Sequence, residues 1–180
     1  MAAAITAGTI GLLAPTANAA CGATGDVCSG ATTATFSIQG GTLSITVPAS
    51  TVNLGTVAAG SLAASGSLGD TYVSDQRGSV VAAWTLSASS TNFTTGGATA
   101  NETVTKGNVS YLAGPSTSVT PALAGTFTPT PAVALSSAQV AGAFAGSGVN
   151  TVHWNPLIAF VLSANQTSGT YTGTITQSIT

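Results

Sequence analysis

Trp84-Thr85-Leu86-Ser87-Ala88-Ser89 alternates, residue by residue, between an apolar and a hydroxyl side chain. A helix, with about 3.6 residues per turn, would scatter these apolar groups around its axis. A strand has a period of two and puts Trp84, Leu86 and Ala88 on one face and Thr85, Ser87 and Ser89 on the other. The same alternation appears upstream, where Leu43, Ile45 and Val47 interleave with Thr42, Ser44 and Thr46. It appears again downstream, where Tyr171, Ile175 and Ile179 share a face opposite Thr170, Thr172, Thr174, Thr176 and Thr180. Threonine is β-branched, suits a pleated surface and shows water a hydroxyl without a charge.

Glycine-bearing corners separate these runs at short intervals, among them Gly40-Gly41, Gly60, Gly69, Gly78, Gly96-Gly97 and Gly114-Pro115. Short alternating strands between frequent turns predict an all-β fold, an antiparallel β-sandwich of immunoglobulin-like or Greek-key type. At most one short helix is expected, where Leu135, Val140 and Phe144 follow Ser136-Ser137 and Gly146-Ser147-Gly148 closes the segment. Leu157 to Leu162 is continuously apolar after Pro156, which predicts a central strand buried on both faces. Residues 115–132 hold four of the seven prolines and read as a long extended loop or sheet edge. The predicted core includes Leu43, Ile45, Val47, Leu54, Val73, Trp84, Leu86, Phe93, Tyr111, Phe144, Trp154, Ile158, Phe160, Leu162, Tyr171 and Ile175.

Only 3% of the 180 residues are charged, namely Asp26, Asp70, Asp75, Glu102, Arg77 and Lys106, against about 25% in an ordinary soluble domain. The chain carries 31 Thr and 21 Ser instead. One Arg and one Lys make no footprint for a nucleic-acid backbone and no basic patch for anionic lipid. Three of the six charges fall in Asp70-Thr71-Tyr72-Val73-Ser74-Asp75-Gln76-Arg77. Asp75 and Arg77 lie two apart, on one side of an extended chain. The spacing predicts a structural ion pair, or an Arg forking onto carbonyls at a strand end.

Residues 1–19 read as a signal peptide: Ile5 to Ala14 is a short apolar stretch and Ala17-Asn18-Ala19 a small-residue cleavage site. Residues 20–39 form a segment tied by a predicted Cys21–Cys28 disulfide, and residues 40–180 form one domain. The end at Gln177-Ser178-Ile179-Thr180 shows no apolar tail, so no membrane anchor is expected. The expected location is extracellular, at the cell surface.

No catalytic residue and no metal or cofactor site is expected. His153 is the only imidazole and no nucleophile elbow accompanies it. Asp70 and Asp75, five apart, face opposite sides of a strand, which does not suit a paired-carboxylate glycosidase. With loop carbonyls they could make a calcium cage, but no EF-hand or other calcium spacing appears.

The stretch Asp75-Gln76-Arg77-Gly78 followed by Ala83-Trp84-Thr85-Leu86-Ser87 resembles the WxL domain of Gram-positive surface proteins. So does the final part, Trp154-Asn155-Pro156, a hydrophobic strand, and Gly169-Thr170-Tyr171-Thr172-Gly173-Thr174-Ile175-Thr176. Where the family usually carries a second Trp-x-Leu, this chain has Gln177-Ser178-Ile179. The resemblance implies a secreted β-sandwich held non-covalently on peptidoglycan or another wall polymer, with Trp84, Leu86 and Trp154 as the binding residues. Read from the residues alone, a Trp in a sandwich is more simply core. The functional expectation is therefore a non-catalytic cell-wall surface protein. The alternative is a filament, pilus or surface-layer subunit joined to copies of itself through sheet edges. That alternative wants a donor tail, and the Cys21–Cys28 loop is expected to pin the N-terminus. A secreted hydrolase is the third and weakest reading.

Overall fold

A computed structural model of the chain describes residues 32–180. The expected signal peptide and the Cys21–Cys28 pair lie outside the described residues. The chain divides into two units, Met1–Ile38 and Gln39–Thr180. The described part of the first, residues 32–38, has no regular secondary structure and is exposed.

The second unit is all-β. Its strands are β1 (Leu43–Thr46), β2 (Ala63–Ser67), β3 (Thr71–Asp75), β4 (Ala82–Ser90), β5 (Phe93–Thr94), β6 (Thr103–Val104) and β7 (Val109–Leu112). There follow β8 (Ser116–Thr120), β9 (Gly125–Pro129), β10 (Val133–Ala134), β11 (Gln139–Gly146), β12 (Asn150–Trp154), β13 (Leu157–Val161) and β14 (Ile175–Ile179). The described helical pieces are two three-residue 3-10 turns, Ala100–Glu102 and Lys106–Asn108. Three antiparallel sheets have the orders β1-β3-β12-β8, β10-β7-β13-β2 and β14-β4-β11-β9, and β5 pairs with β6. Apart from β5–β6, every connection passes from one sheet to another. That is the connectivity of a sandwich, not of a run of hairpins.

The first two sheets run into each other. The chain passes from β2 to β3 at Leu68-Gly69-Asp70, from β7 to β8 at Ala113-Gly114-Pro115 and from β12 to β13 at Asn155-Pro156. Pro156 has no N–H to give a ladder, and its carbonyl instead accepts from Leu68 N at 2.9 Å. Ser67 Oγ donates to Asn155 Oδ1 at the same level. Gly69 and Gly114 turn with φ of +92° and +72°, where a Cβ would be strained.

The third sheet closes the sandwich, with β1 beside β14 and β8 beside β9. Its inner face carries an aromatic row in register, Trp84 opposite Phe144 and Phe144 opposite Phe127. Trp84 stacks on Phe144 at 5.4 Å between ring centroids and on Phe127 at 5.7 Å. Trp154, reaching over from the first sheet, stacks on Phe127 at 5.3 Å. Such pairs contribute about 0.5–1.5 kcal/mol each beyond the area they bury. Val73, Leu86, Val109, Tyr111, Val152 and Ile158 complete a core with no measurable exposure.

Three expectations need correction. The segment around Val140 and Phe144 is a strand, β11, not a helix. A bulge between Val140 and Gly142 puts Ala141 and Gly142 both inward, which breaks the period of two and leaves a helix-like spacing. Leu157 to Leu162 contains a central strand, but only one face of it is covered. Ile158 and Phe160 point inward while Leu157 and Val161 remain 41% and 62% exposed. A continuous apolar run does not reveal whether both faces of a sheet are packed. Val47, counted in the core, lies just past β1 and is exposed. The proline-rich stretch 115–132 holds β8 and β9, each at the edge of its sheet.

Candidate functional site

The charged stretch resolves into two pairs on opposite faces of β3. Asp75 is fully buried. It accepts two bonds from one guanidinium, Arg77 Nε to Oδ1 at 2.9 Å and Arg77 Nη2 to Oδ2 at 2.8 Å, and a third from Arg77 N at 3.0 Å. Arg77 Nη2 also donates to Ala83 O at 2.9 Å, which ties the end of β3 to the start of β4. These bonds hold the Asp75 carboxyl below its usual range against the upward push of burial, and they raise the Arg77 guanidinium in turn. The carboxylate is spent on structure. Its outer neighbour Gln76 backs Gly41, whose N donates to Gln76 O at 2.6 Å, and the Arg77 main chain backs Gly40.

Asp70 points outward. His153 Nδ1 donates to Asp70 Oδ2 at 2.9 Å, and the imidazole stacks on Tyr72 at 4.8 Å between centroids. The register that sets His153 opposite Tyr72 makes this pair. Among the described residues no hydroxyl hydrogen-bonds to His153 Nε2, so the pair lacks the nucleophile of a triad. No group of three His, Cys, Asp or Glu converges among the described residues.

Trp84, Leu86 and Trp154 lie in the core, with 2%, 0% and 0% exposure. In this arrangement they offer no surface to a wall polymer. Trp154 Nε1 donates to Tyr111 Oη at 3.2 Å and Tyr111 Oη donates to Gln177 Oε1 at 2.6 Å, so one chain of bonds links all three sheets. Burial pushes the Tyr111 phenol up to about 12, with the Trp154 bond acting the other way. Trp84 Nε1 is buried without a hydrogen-bond partner.

A concave surface lies elsewhere among the described residues. Two irregular segments, 51–61 and 166–173, face each other across a groove of about 610 Å³. Its floor is Phe93 and Phe160, packed edge to face at 4.9 Å, with Val104 and Leu162 beside them. The first wall is set by Asn53, whose Oδ1 accepts from Gly55 N at 2.9 Å, and by a turn in which Ser61 N donates to Ala58 O. Leu54 anchors this wall against Gly66, where a Cβ would come within 3.0 Å of it. The second wall is held by Tyr171, whose hydroxyl donates to Thr167 O at 2.7 Å. The Asn101 carbonyl accepts from Thr167 N at 2.8 Å and from Gln166 Nε2 at 3.1 Å. The lining carries no charged side chain. Asn53, Gln166, Thr170 and Thr172 give the lining amides and hydroxyls, with Asn53 Oδ1 and Gln166 Nε2 already bonded within the protein and Phe93 and Phe160 each 8% exposed at the base; an uncharged, mixed lining of this kind suits a neutral ligand.

From sequence, Phe93, Phe160 and Leu162 of its floor are expected only as core. The wall residues carry no motif, and what marks them in sequence is the failure of alternation across 51–61 and 163–170. Among known protein families, curated proteins and solved structures, none matches the chain.

Proposed function

We propose that the chain is a non-catalytic, secreted surface protein that holds a neutral cell-wall glycan, the backbone of peptidoglycan or a related polymer. The observation that carries this reading is the uncharged groove between segments 51–61 and 166–173, floored by Phe93 and Phe160. A glycan strand offers hydroxyls and acetamido groups for the polar lining and C–H faces for its apolar residues. The signal-like residues 1–19 and the likeness to WxL domains support an extracellular compartment. The contact, however, is assigned to the groove and not to Trp84, Leu86 and Trp154, which are core.

The test is retention on purified, protein-free peptidoglycan at physiological salt. The full chain is expected to be retained and to be competed off by soluble glycan fragments. Thr170→Trp, which places an indole across the exposed wall, is expected to weaken retention about tenfold without lowering the melting temperature. Equal retention of the variant and the natural chain, or no retention of either, rejects the reading.

A further inference from the structure

We propose that residues 33–38 are a donor strand that adds to the free edge of β14 in a second copy of the chain, joining copies head to tail. Thr33-Ala34-Thr35-Phe36-Ser37-Ile38 alternates hydroxyl and apolar side chains as a strand does, yet it has no strand assignment, and Phe36 and Ile38 are 89% and 85% exposed. Two large apolar side chains on a segment of this β-propensity are an unmet strand face. The segment is also a near copy of Thr174-Ile175-Thr176-Gln177-Ser178-Ile179. Thr, Thr, Ser and Ile recur at matching positions and only Ala34 and Phe36 differ from Ile175 and Gln177.

The acceptor follows from the ladder. Thr85 and Thr180 exchange both backbone bonds, and Thr91 N donates to Thr174 O. Hydrogen-bonded pairs alternate along an antiparallel ladder. Thr176 and Ser178 therefore bond toward β4, and the backbone N–H and C=O groups of Ile175, Gln177 and Ile179 point away from it. β14 ends its sheet, with β1 beside it where the sandwich closes, and among the described residues no backbone hydrogen bond is made at that edge. Strand β14 has no proline and no charge. The opposite side of the sandwich is different, because β8 and β9 run among Pro115, Pro121, Pro129 and Pro131. Proline guards those edges, and β14 carries none.

Six extended residues span about 20 Å, enough to cover five-residue β14. Adding there, Ala34, Phe36 and Ile38 continue the inner row of Ile175, Gln177 and Ile179, and Thr33, Thr35 and Ser37 continue the hydroxyl row outside. Main-chain bonds supply affinity and the Phe36 side chain supplies register. Donor and acceptor are different surfaces, so the contact is heterologous and propagates. The expected Cys21–Cys28 loop ends before Thr33 and leaves this segment outside it. The inference does not rest on the glycan groove.

The test is sedimentation and negative-stain microscopy of the full chain across a concentration series, with Phe36→Asp/Ile38→Asp alongside. Expected are oligomers that grow with concentration, association about tenfold or more weaker in the variant, and an unchanged melting temperature. A peptide of residues 32–39 added in excess should cap the oligomers, which tests the donor without altering the chain. A photo-cross-linker at position 36 should reach residues 175–179 of another copy. A natural chain that stays monomeric, oligomers indifferent to both variant and peptide, or a cross-link to any other strand overturns the proposal.

Discussion

The Tyr111 hydroxyl donates to Gln177 Oε1 at 2.6 Å while accepting from Trp154 Nε1 at 3.2 Å, so β7, β14 and β12 meet at one oxygen. Tyr111 is fully buried. Gln177→Leu leaves its hydroxyl without an acceptor in an apolar surround and should cost about 1–3 kcal/mol. Tyr111→Phe removes both bonds but leaves only Trp154 Nε1 orphaned, since half-buried Gln177 still reaches water. The two variants together should therefore cost less than the sum of the singles. Urea unfolding of the three proteins checks this, and strict additivity contradicts it.

The Asp75–Arg77 pair sets a pH dependence. The Asp75 carboxyl is lowered on folding, chiefly by its bond to Arg77. A depressed carboxyl contributes fully above its unfolded value, about 4, and loses that contribution as pH falls through the folded value. The melting temperature of the natural chain should drop below about pH 4, and Asp75→Asn should flatten that drop while lowering stability at pH 7. Glu102, also lowered by its bonds to Thr99, adds an acid dependence of its own that both proteins share. Arg77→Ala strands a buried carboxylate. Breaking a buried pair costs about 3–5 kcal/mol. Here the guanidinium is 37% exposed, so solvent screening reduces the expected cost to about 2–3 kcal/mol. Thermal melts from pH 3 to 7 measure all three.

The two tryptophans should respond differently to the same substitution. Trp154 Nε1 has a partner in Tyr111, and Trp84 Nε1 has none. Phenylalanine at either position removes comparable volume from the core. At Trp84 it also removes an unsatisfied N–H, which offsets part of the cavity cost. At Trp154 it breaks a bond in the chain that ends at Gln177. Trp154→Phe should therefore be the more destabilising by about 1–2 kcal/mol. An equal or reversed order in urea unfolding would count against the hydrogen-bond assignment.

Much of the sandwich is legible from single strands. β4 alternates without interruption, so Trp84, Leu86 and Ala88 can be placed inward from sequence alone. β1 is as clear at Leu43 and Ile45. What sequence hides is pairing at long range. Nothing local says that β3 and β12 are neighbours, so neither the Asp70–His153 bond nor the Tyr72–His153 stack could be read in advance. The groove is hidden for the same reason. Asn53 and Gln166 stand on separate loops and converge only because β2 and β13 pair, with Leu162 N donating to Leu62 O. Phe127, buried at 5% exposure, sits among the prolines of 115–132, where composition points to an extended loop or sheet edge and marks no core residue.

The bulge in β11 is where local pattern and fold diverge most, and it yields the sharpest steric prediction. At Gly142 the strand loses its period, and the residue faces inward beside Ala141. A Cβ there would lie 2.8 and 2.9 Å from Phe127 ring carbons and 3.2 Å from Thr128 O. Phe127 packs against both Trp84 and Trp154, which are themselves in contact, so its freedom to move aside is small. The carbonyl of Thr128 belongs to β9, paired to β11 at this point. Gly142→Ala should therefore cost about 1–3 kcal/mol as overpacking, although alanine elsewhere in a strand is favoured over glycine. Phe127→Leu in the same chain should relieve part of that cost, so the double variant should be more stable than the separate costs predict. A Gly142→Ala protein that melts at or above the natural temperature would show that the bulge leaves room the geometry denies.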